Sequence, residues 1–382
     1  MKKIIYINSV DVDEISGQGS FERNFISYLR NSNERSVIFT INKKQNKIEN
    51  NIRYIKLNKK NKLSYFLYQI YLFYFLLREI RGNKKEKIYV YSRLAPYNIV
   101  PFILKKIFKF QLTIRSGPVY QNLVLYDKIK NNFLLKFFKK LLFFYYHTAD
   151  NIIVVTERIK IQLINDFNIA ENKIKVISNP INEDLFKNCK ENNLKQNKKI
   201  ITLGFVGNIY KEQGVQHIIE AFNLLSKTDK EKFKIIIVGD GSYLTECKIL
   251  VKKYNLNKYF EFTGRVKPEK VINYISKFDL GLAPFTKEDY EVRGSSALKI
   301  LEYLYCNKPV ITIDVPEYRF IKELNYGYLY EMDNILNLKW ILEMIIKTGI
   351  NEINSKQYVL QNYSKEVVFS RYIKIIKGEK DA

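Results

Sequence analysis

A carboxylate and a lysine stand one helical turn apart behind a turn of small residues. In the stretch GSSALKILEYL, residues 294–296 are glycine and serine, and the apolar residues that follow recur with helical spacing. Glu302 lies at the border of this apolar face, three residues after Lys299. The small-residue turn lets a phosphate approach the backbone N–H groups of Ala297 and Leu298. The alternative is that Glu302 and Lys299 form an exposed ion pair worth only tenths of a kcal/mol.

Two further glycine-rich turns follow strand-like segments. Gly17 and Gly19 occur in SGQGS, after the first apolar segment. Gly207, Asn208 and Lys211 occur in GNIYKEQG, after the segment ITLGFV. Glycines allow backbone to approach a phosphate or sugar, and the helices that follow present unpaired N–H groups and a positive dipole end. One such turn is also an ordinary connector, but two in the second half of the chain favour a phosphate-bearing ligand.

Several other kinds of site are disfavoured by the sequence. The segment GQGSFE lacks the third glycine of G-x-G-x-x-G, which argues against a nicotinamide enzyme, and no Walker A motif occurs. The carboxylates of DVD, residues 11–13, are more typical of loop charges than of a metal site. His147 and His217 are the only histidines, which argues against a histidine-based triad or a polyhistidine metal site.

The cysteines and the first residues bear on the compartment. Cys189, Cys247 and Cys306 are scattered and odd in number, which fits a reducing cytoplasm with no metal site and no disulfide framework. The segment MKKIIYINSV runs straight into a strand-like pattern and is too short for a signal peptide. We therefore expect a cytoplasmic protein.

The net charge of +25 on 382 residues calls for a partner or a physical reason. Nucleic acid, an anionic membrane surface and phosphorylated small substrates are the three candidates. The basic residues are mostly lysines dispersed among Asn and Ile, and no arginine-rich stretch, zinc spacing or RNA-binding aromatic signature appears. These features argue against nucleic acid, and a solvated lysine-rich surface remains the simpler alternative.

Strand-like segments alternate with helical patterns twice over, which predicts an α/β protein of two doubly wound domains. The segments are residues 3–9, 35–41, 87–93, 110–116, 151–156 and 174–180, then 201–207, 234–241, 259–264, 280–285 and 308–314. Their Ile, Val and Leu content indicates burial on both faces, as parallel strands require. The polar residues 186–199 are the best linker candidate.

Three apolar segments raise the question of a membrane. Residues 63–77 fall short of the roughly 20 residues needed to span a bilayer, so we interpret them as a buried or interfacial helix. Residues 102–110 and 129–146 interleave Lys with Phe, Leu and Tyr, as interfacial helices do. Core-facing helices with lysines on their wet side are the alternative.

The second half of the chain resembles the retaining glycosyltransferases of family four, which have the GT-B fold. The matching pieces are ADNIIVVTERIK, IKVISNPINEDLF, GFVGNIYKEQGVQHIIEAF, KIIIVGDGSYL, FTGRV, FDLGLAPF and SSALKILEYLYCNKPVI, in the family's order between residues 149 and 311. The resemblance implies two Rossmann-like domains facing a cleft. It also implies transfer of a sugar from a nucleotide-diphospho-sugar, with retained anomeric configuration, no bound metal and no cofactor.

The resemblance also implies domain boundaries. We expect an acceptor-binding domain at 1–185, the linker at 186–199, a nucleotide-sugar domain at 200–360 and a C-terminal helix at 361–382 that packs towards the first domain.

The family's donor motif carries over with two departures. Its signature pairs two glutamates eight positions apart, the second of which grips the nucleotide ribose; Glu302 matches the second, and Gly294 stands in place of the first. Nearby Glu288, Asp289 and Glu291 are candidates to replace the missing carboxylate. The family's diphosphate-binding Arg and Lys fall on Asn208 and Gln213, and Lys211 is our substitute for the lost cation.

Further site candidates follow from strand ends and turns. Arg265 in FTGRV is a candidate to lie near the nucleotide base, with a structural turn arginine as the alternative. Arg93 and Arg115 each end a strand of the first domain and are candidates for acceptor or phosphate. The expected donor-binding set is Gly17, Gly19, Gly207, Asn208, Lys211, Arg265, Ser296, Ala297, Leu298 and Glu302.

We therefore expect a hexosyltransferase that builds a surface polysaccharide or lipid-linked oligosaccharide. Its partners would be a nucleotide-sugar donor, a lipid-linked glycan acceptor and an anionic membrane surface, at the inner face of which it would lie peripherally. A noncatalytic nucleotide-sugar-binding protein is the first alternative, because Gly294 replaces a glutamate. A basic nucleic-acid-binding protein is the second.

Overall fold

The chain folds into two compact units. The computed structural model describes residues 2–11, 17–42, 47–49, 51–56, 62–82, 86–95, 98–117, 132–189, 200–293 and 298–379. One unit comprises Met1–Pro180 with Lys365–Ala382, and the other comprises Ile181–Ser364. The division therefore falls after Pro180 and after Ser364, whereas the sequence suggested boundaries near residues 185 and 360.

The first unit is built on an eight-stranded sheet with the order β3-β4-β2-β1-β5-β6-β7-β8. Its strands are β1 Lys2–Asp11, β2 Ser36–Asn42, β3 Lys47–Glu49, β4 Ile52–Lys56, β5 Lys87–Arg93, β6 Gln111–Arg115, β7 Asn151–Val154 and β8 Ile174–Val176. All pairings are parallel except that of β3 with β4. Ile5 and Ile7 of β1 enter one core cluster and Ile4 and Tyr6 enter another, because successive strand residues face opposite sides. The sheet is thus buried on both faces.

Helices cover both faces of this sheet. They are α1 Gly17–Asn31, α2 Lys62–Arg81, α3 Val100–Ile107, α4 Asn132–Thr148 and α5 Glu157–Phe167, with α15 Lys365–Ile376 from the far end of the chain. Helix α15 joins the core beside α1, where the ring of Phe369 lies 5.1 Å from that of Phe25 and 5.4 Å from that of Phe21. The last described helix is therefore an integral part of the first unit.

The second unit has a six-stranded parallel sheet with the order β11-β10-β9-β12-β13-β14. Its strands are β9 Ile201–Val206, β10 Phe233–Val238, β11 Phe260–Gly264, β12 Leu280–Ala283, β13 Val310–Ile313 and β14 Gly327–Tyr330. Its helices are α6 Val215–Asn223, α7 Lys227–Lys230, α8 Leu244–Lys253, α9 Pro268–Ile275, α10 Lys287–Arg293, α11 Leu298–Tyr305, α12 Arg319–Glu323, α13 Ile335–Thr348 and α14 Lys356–Tyr363. Strand β9 pairs with β10 and β12, so it lies in the middle of the sheet.

Helix α2 exposes much of its apolar surface. Phe66 and Tyr74 are 63% and 65% exposed, while Tyr68, Leu72 and Leu76, on another side of the helix, are buried. The helix is therefore only half covered by its own unit. In the described parts of the chain, no helix combines the length and the apolar character needed to cross a bilayer.

Two elements differ from the sequence-based expectation. Gly17 and Gly19 lie in the first turn of α1 and do not form a separate glycine turn after β1. Strands β3, β4 and β14 were not expected, because β3 is only three residues long and β4 and β14 alternate apolar with polar or aromatic residues.

The cysteines also differ from expectation. Cys189 and Cys306 form a disulfide within the second unit, with their Cα atoms 5.7 Å apart, and Cys247 is buried as a thiol. The expectation of no disulfide was wrong for this pair, because a sequence separation of 117 residues conceals their proximity in the fold.

Candidate functional site

Three neighbouring strands of the second unit end in glycines. Gly207, Gly239 and Gly264 follow or end β9, β10 and β11, with φ angles of 150°, 141° and 71°. The Gly207 N–H donates to the Val238 carbonyl at 3.0 Å, and the Gly239 N–H donates to the Gly264 carbonyl at 3.0 Å. A Cβ at Gly239 would lie 1.8 Å from the Gly207 carbonyl oxygen, so a side chain cannot be accommodated there. The strand ends form a closely packed edge of half-buried backbone turns.

Helix α11 is fixed above this edge by Tyr303. The Tyr303 ring is fully buried over Gly281 of β12, where a Cβ would lie 2.3 Å from the ring. Its hydroxyl oxygen accepts a hydrogen bond from the Val206 N–H at 2.8 Å, at the last residue of β9. These contacts set the distance between α11 and the sheet, and with it the positions of Lys299 and Glu302.

Lys299 points its ammonium group at the end of β9. Its Nζ donates to Gln213 Oε1 at 2.8 Å and lies 4.1 Å from the ring centroid of Phe205 and 4.9 Å from that of Phe285. A Cβ at Gly207 would be 3.1 Å from this Nζ, so the amine lies directly beside the glycine turn. Three elements therefore meet at one cation: the turn between β9 and α6, the end of β12 and the start of α11.

Glu302 lies one helical turn further along α11 and is partly buried. The protein withholds water from the carboxylate and raises the pKa of Glu302 to about 7, although the charge of Lys299 opposes this shift. The same loss of water lowers the pKa of Lys299 to about 7, against the opposing charges of Asp289 and Glu302. Within the described residues, no carboxylate oxygen comes within 4.0 Å of the Lys299 amine. The two side chains are thus not an exposed ion pair.

Of the three carboxylates that were candidates to replace the missing glutamate, one turns inward. Asp289 is 3% exposed, and its charge raises the pKa of Lys299. Its backbone N–H donates to the Thr286 hydroxyl oxygen at 3.1 Å. Thr286 directly precedes α10. Glu288 and Glu291 are exposed on the same helix.

The remaining donor candidates of this unit lie at the same edge of the sheet. Asn208 and Lys211 are exposed in the loop after β9, and Arg265 is exposed directly after β11. Leu298 is the first described residue of α11, while Ser296, Ala297 and the rest of the turn at 294–297 lie outside the described residues. Gly17 and Gly19 belong to the other unit.

The arginines predicted for acceptor or phosphate lie in a buried cluster of the first unit. Arg93 and Arg115 are register partners at the ends of β5 and β6. Both reach Glu22 of α1, which is 1% exposed, at 2.7 and 3.5 Å. Arg115 also donates to Asn179 Oδ1 at 2.6 Å and stacks 3.6 Å from the centroid of Phe21. The carboxyl end of this sheet therefore carries two arginines around one buried carboxylate.

A metal site is not apparent in the described residues. In those ranges, no group of three or more His, Cys, Asp or Glu side chains is placed to hold an ion. Val12 and Asp13 of the DVD segment lie outside the described residues.

Comparisons with known proteins agree with this architecture. The chain matches the family model described as Glycosyltransferase Family 4 over residues 16–185 and the model described as Glycosyl transferases group 1 over residues 186–365. It is 26% identical over 294 residues to the uncharacterized glycosyltransferase MJ1069 of Methanocaldococcus jannaschii, covering 75% of this chain and 73% of the relative. It is 27% identical over 234 residues to the alpha-monoglucosyldiacylglycerol synthase of Streptococcus pneumoniae, covering 57% and 51%. The structure of HepE from Anabaena in complex with UDP superposes with a TM-score of 0.67 at 12% identity, covering 99% of this chain and 100% of HepE.

Two parallel Rossmann-like sheets with these matches define a glycosyltransferase of the GT-B fold. The chain belongs to glycosyltransferase family four.

The raised pKa of Glu302 predicts a specific pH dependence of stability. A folded-state pKa of about 7, above the ordinary value of 4.5, means that the folded chain binds this proton more tightly than the unfolded chain. The stabilisation is complete below pH 4.5 and is lost as the pH rises towards 7. Glu302→Gln has no carboxyl group at this position and does not lose stability in this way. The free energy of unfolding of the variant minus that of wild type should therefore increase between pH 5 and pH 7.

Urea unfolding of both proteins across this range measures the difference. Glu323→Gln, an exposed glutamate of the same unit, is the matched control and should give a constant difference. A constant difference for Glu302→Gln as well would contradict the assignment of a raised pKa.

Proposed function

We propose that this chain is a retaining, metal-independent hexosyltransferase that moves a sugar from a nucleotide-diphospho-sugar to a lipid-linked glycan acceptor. The observation that carries the proposal is the partly buried carboxylate of Glu302, which lies on α11 one helical turn after Lys299, the residue whose amine lies beside the glycine turn after β9. Ligands of doubly wound sheets bind at this edge. The UDP complex of HepE supports uridine nucleotides as the first donors to test.

Each part of the site has a role in this reaction. The Glu302 carboxylate accepts hydrogen bonds from the two ribose hydroxyls, and its ionised form is the stronger acceptor. The turn at Gly207 admits the diphosphate close to backbone, where a side chain would obstruct it. As the bond from the anomeric carbon to the phosphate oxygen breaks, its electron pair remains on the diphosphate, and fixed dipoles and positive charge at this edge stabilise it. The acceptor hydroxyl oxygen bonds to the anomeric carbon, and the departing diphosphate takes the hydroxyl proton.

The acceptor is proposed to be lipid-linked because the first unit has an apolar and basic surface. Helix α3 packs against both α2 and α4. These neighbours carry exposed apolar side chains together with the exposed Lys136, Lys139 and Lys140. The surface comprises Leu63, Phe66, Leu67, Ile70, Tyr71, Phe73, Tyr74, Ile103, Ile107, Phe137 and Phe143. A patch of this composition suits the cytoplasmic face of an anionic membrane, and the name of the Streptococcus pneumoniae relative indicates a lipid product in that protein.

Transfer should persist in EDTA. Positive charge and backbone N–H groups take the role that a divalent cation has in metal-dependent transferases. An assay of sugar release from a nucleotide sugar, with and without EDTA, measures this. Activity that disappears in EDTA and returns with Mn²⁺ or Mg²⁺ would contradict metal independence.

Glu302→Gln should weaken donor binding or turnover by about 10- to 150-fold. The amide replaces one acceptor oxygen with an NH₂ donor, so one hydrogen bond to the ribose is lost, at a cost of about 1.5–3 kcal/mol. Donor affinity by calorimetry and turnover by product formation separate the two effects. Glu323→Gln is the matched control and should behave as wild type. Wild-type kinetics in Glu302→Gln would end the ribose assignment, and donor binding without turnover in the wild type would favour the noncatalytic alternative.

The first unit should bind anionic vesicles through α2, α3 and α4. Each lysine near an anionic surface contributes about 1 kcal/mol, and salt screens this contribution within a Debye length of about 10 Å at 0.1 M. Wild type should float with phosphatidylserine-containing vesicles at low salt and dissociate at high salt. Phe66→Ser with Tyr74→Ser should reduce flotation.

The matched control removes equally exposed apolar groups from the second unit. Ile249 and Leu336 are 60% and 68% exposed, and Ile249→Ser with Leu336→Ser should leave flotation unchanged. Failure of wild type to float at low salt would contradict the membrane proposal.

A further inference from the structure

The Lys299 ammonium group retains hydrogen-bond donor capacity beyond the contacts that the described residues make with it. Among the described residues, its Nζ has one hydrogen-bond acceptor, the neutral amide oxygen of Gln213, and two aromatic faces, Phe205 and Phe285. An ammonium has three N–H donors, so donor capacity remains beyond the bond to Gln213. The glycine turn at Gly207 lies beside this amine, since a Cβ built on Gly207 would be 3.1 Å from Nζ.

The position of this amine is set by rigid elements. Lys299 belongs to α11, whose contact with the sheet is fixed by the buried Tyr303. Phe205 is the penultimate residue of β9, and Phe285 follows β12 by two residues. The amine is therefore held at the carboxyl end of two adjacent parallel strands, where ligands of such sheets bind.

Other cations of this edge are less suited to a fixed role. Lys211 and Arg265 are both exposed, so their side chains remain hydrated. An amine that has already lost much of its water interacts more strongly with an anion than a hydrated one does. The surrounding charges that face Lys299 are Asp289 from α10 and Glu302 from α11, and both favour its protonated form.

We propose that Lys299 binds the diphosphate of the nucleotide-sugar donor. This inference rests on the proposed function and names a residue that the sequence motif did not assign to the donor. The ammonium donates to a non-bridging phosphate oxygen beside the Gly207 turn. When the bond between the anomeric carbon and the phosphate oxygen breaks, the electron pair stays on the diphosphate, and Lys299 stabilises the added charge. The anomeric carbon bonds to the acceptor hydroxyl oxygen, whose proton passes to the departing diphosphate.

Proton uptake on binding provides a readout that a structural lysine would not change. In the ligand-free protein the pKa of Lys299 is about 7, so at pH 8 most of the amine is neutral. A diphosphate bound beside the amine raises this pKa, so the amine takes up a proton from solvent. A nucleotide sugar is the suitable probe, because its diphosphate diester does not titrate near pH 7. Glu302 is largely ionised at pH 8 in the ligand-free protein.

The experiment is calorimetric titration of UDP-glucose, GDP-mannose and ADP-glucose at pH 8, in HEPES and in Tris. These buffers differ in ionisation enthalpy, so the difference in heat gives the protons taken up. Wild type should take up a substantial fraction of one proton with the sugar nucleotide that it binds. Lys299→Met should take up none and bind that nucleotide about 10- to 150-fold more weakly.

Lys211→Met tests the alternative cation and should retain the proton uptake. Removal of a desolvated charge is often neutral or stabilising, so Lys299→Met should unfold at or above the wild-type temperature. Should that variant fail to fold, the uptake by wild type and by Lys299→Gln decides the question. Equal affinity and equal uptake in wild type and the Lys299 variant would overturn this inference and leave the proposed function intact. Absence of binding by all three sugar nucleotides to wild type would overturn the proposed function and this inference together.

Discussion

Tyr303 fixes helix α11, which carries Lys299 and Glu302, to the sheet of the second unit. The ring occupies the space that a side chain at Gly281 would fill, and the hydroxyl receives the N–H of Val206, where β9 ends. A backbone N–H at a strand end would otherwise need water or another acceptor. Because one side chain provides both the packing and the hydrogen bond, α11 has little freedom to slide along the sheet. Lys299 and Glu302, four residues and one residue before Tyr303, take their positions from this contact.

The resulting site balances desolvation against opposite charge. Lys299 and Glu302 each have a pKa of about 7, reached from opposite directions because the protein withholds water from both. Complete burial without compensation would neutralise both groups. Asp289 adds a third charge that favours the ammonium form. A bound anion or hydroxyl group changes the protonation of such a site near neutral pH. Ligand affinity therefore depends on pH.

The first unit also holds charged groups close together, and there a buried carboxylate pairs with two arginines. Arg93 and Arg115 extend from adjacent parallel strands, where two like charges would repel, and Glu22 from α1 lies between them. Arg115 has further partners in Asn179 and the face of Phe21, so its guanidinium is held on several sides. The arrangement leaves one net positive charge in the cluster. The same unit leaves α2 half uncovered, which follows from an all-round apolar helix that packs only one side against the sheet.

Local sequence pattern was sufficient for most of the parallel strands. Strand β5 begins and ends at the residues expected, Lys87 and Arg93, because a run of β-branched and aromatic residues buried on both faces has no competing local structure. The glycine turn after β9 and the family were also readable, since they depend on residues close together in the chain. Strands β3 and β4 were missed, because a short antiparallel pair at the sheet edge carries little apolar pattern.

Long-range contacts were decided only by the tertiary structure. The disulfide joins residues 117 positions apart, and Gln213 meets an amine 86 positions away. The sequence suggested Lys211 as the substitute for the missing cation, and the fold also brings Lys299 to the same turn from another helix. Glu302 was identified from its motif, but its altered pKa depends on how much water the assembled sheet and helices exclude. Residue type and local periodicity are properties of the chain itself, while proximity between distant segments and the loss of solvent exist only after packing.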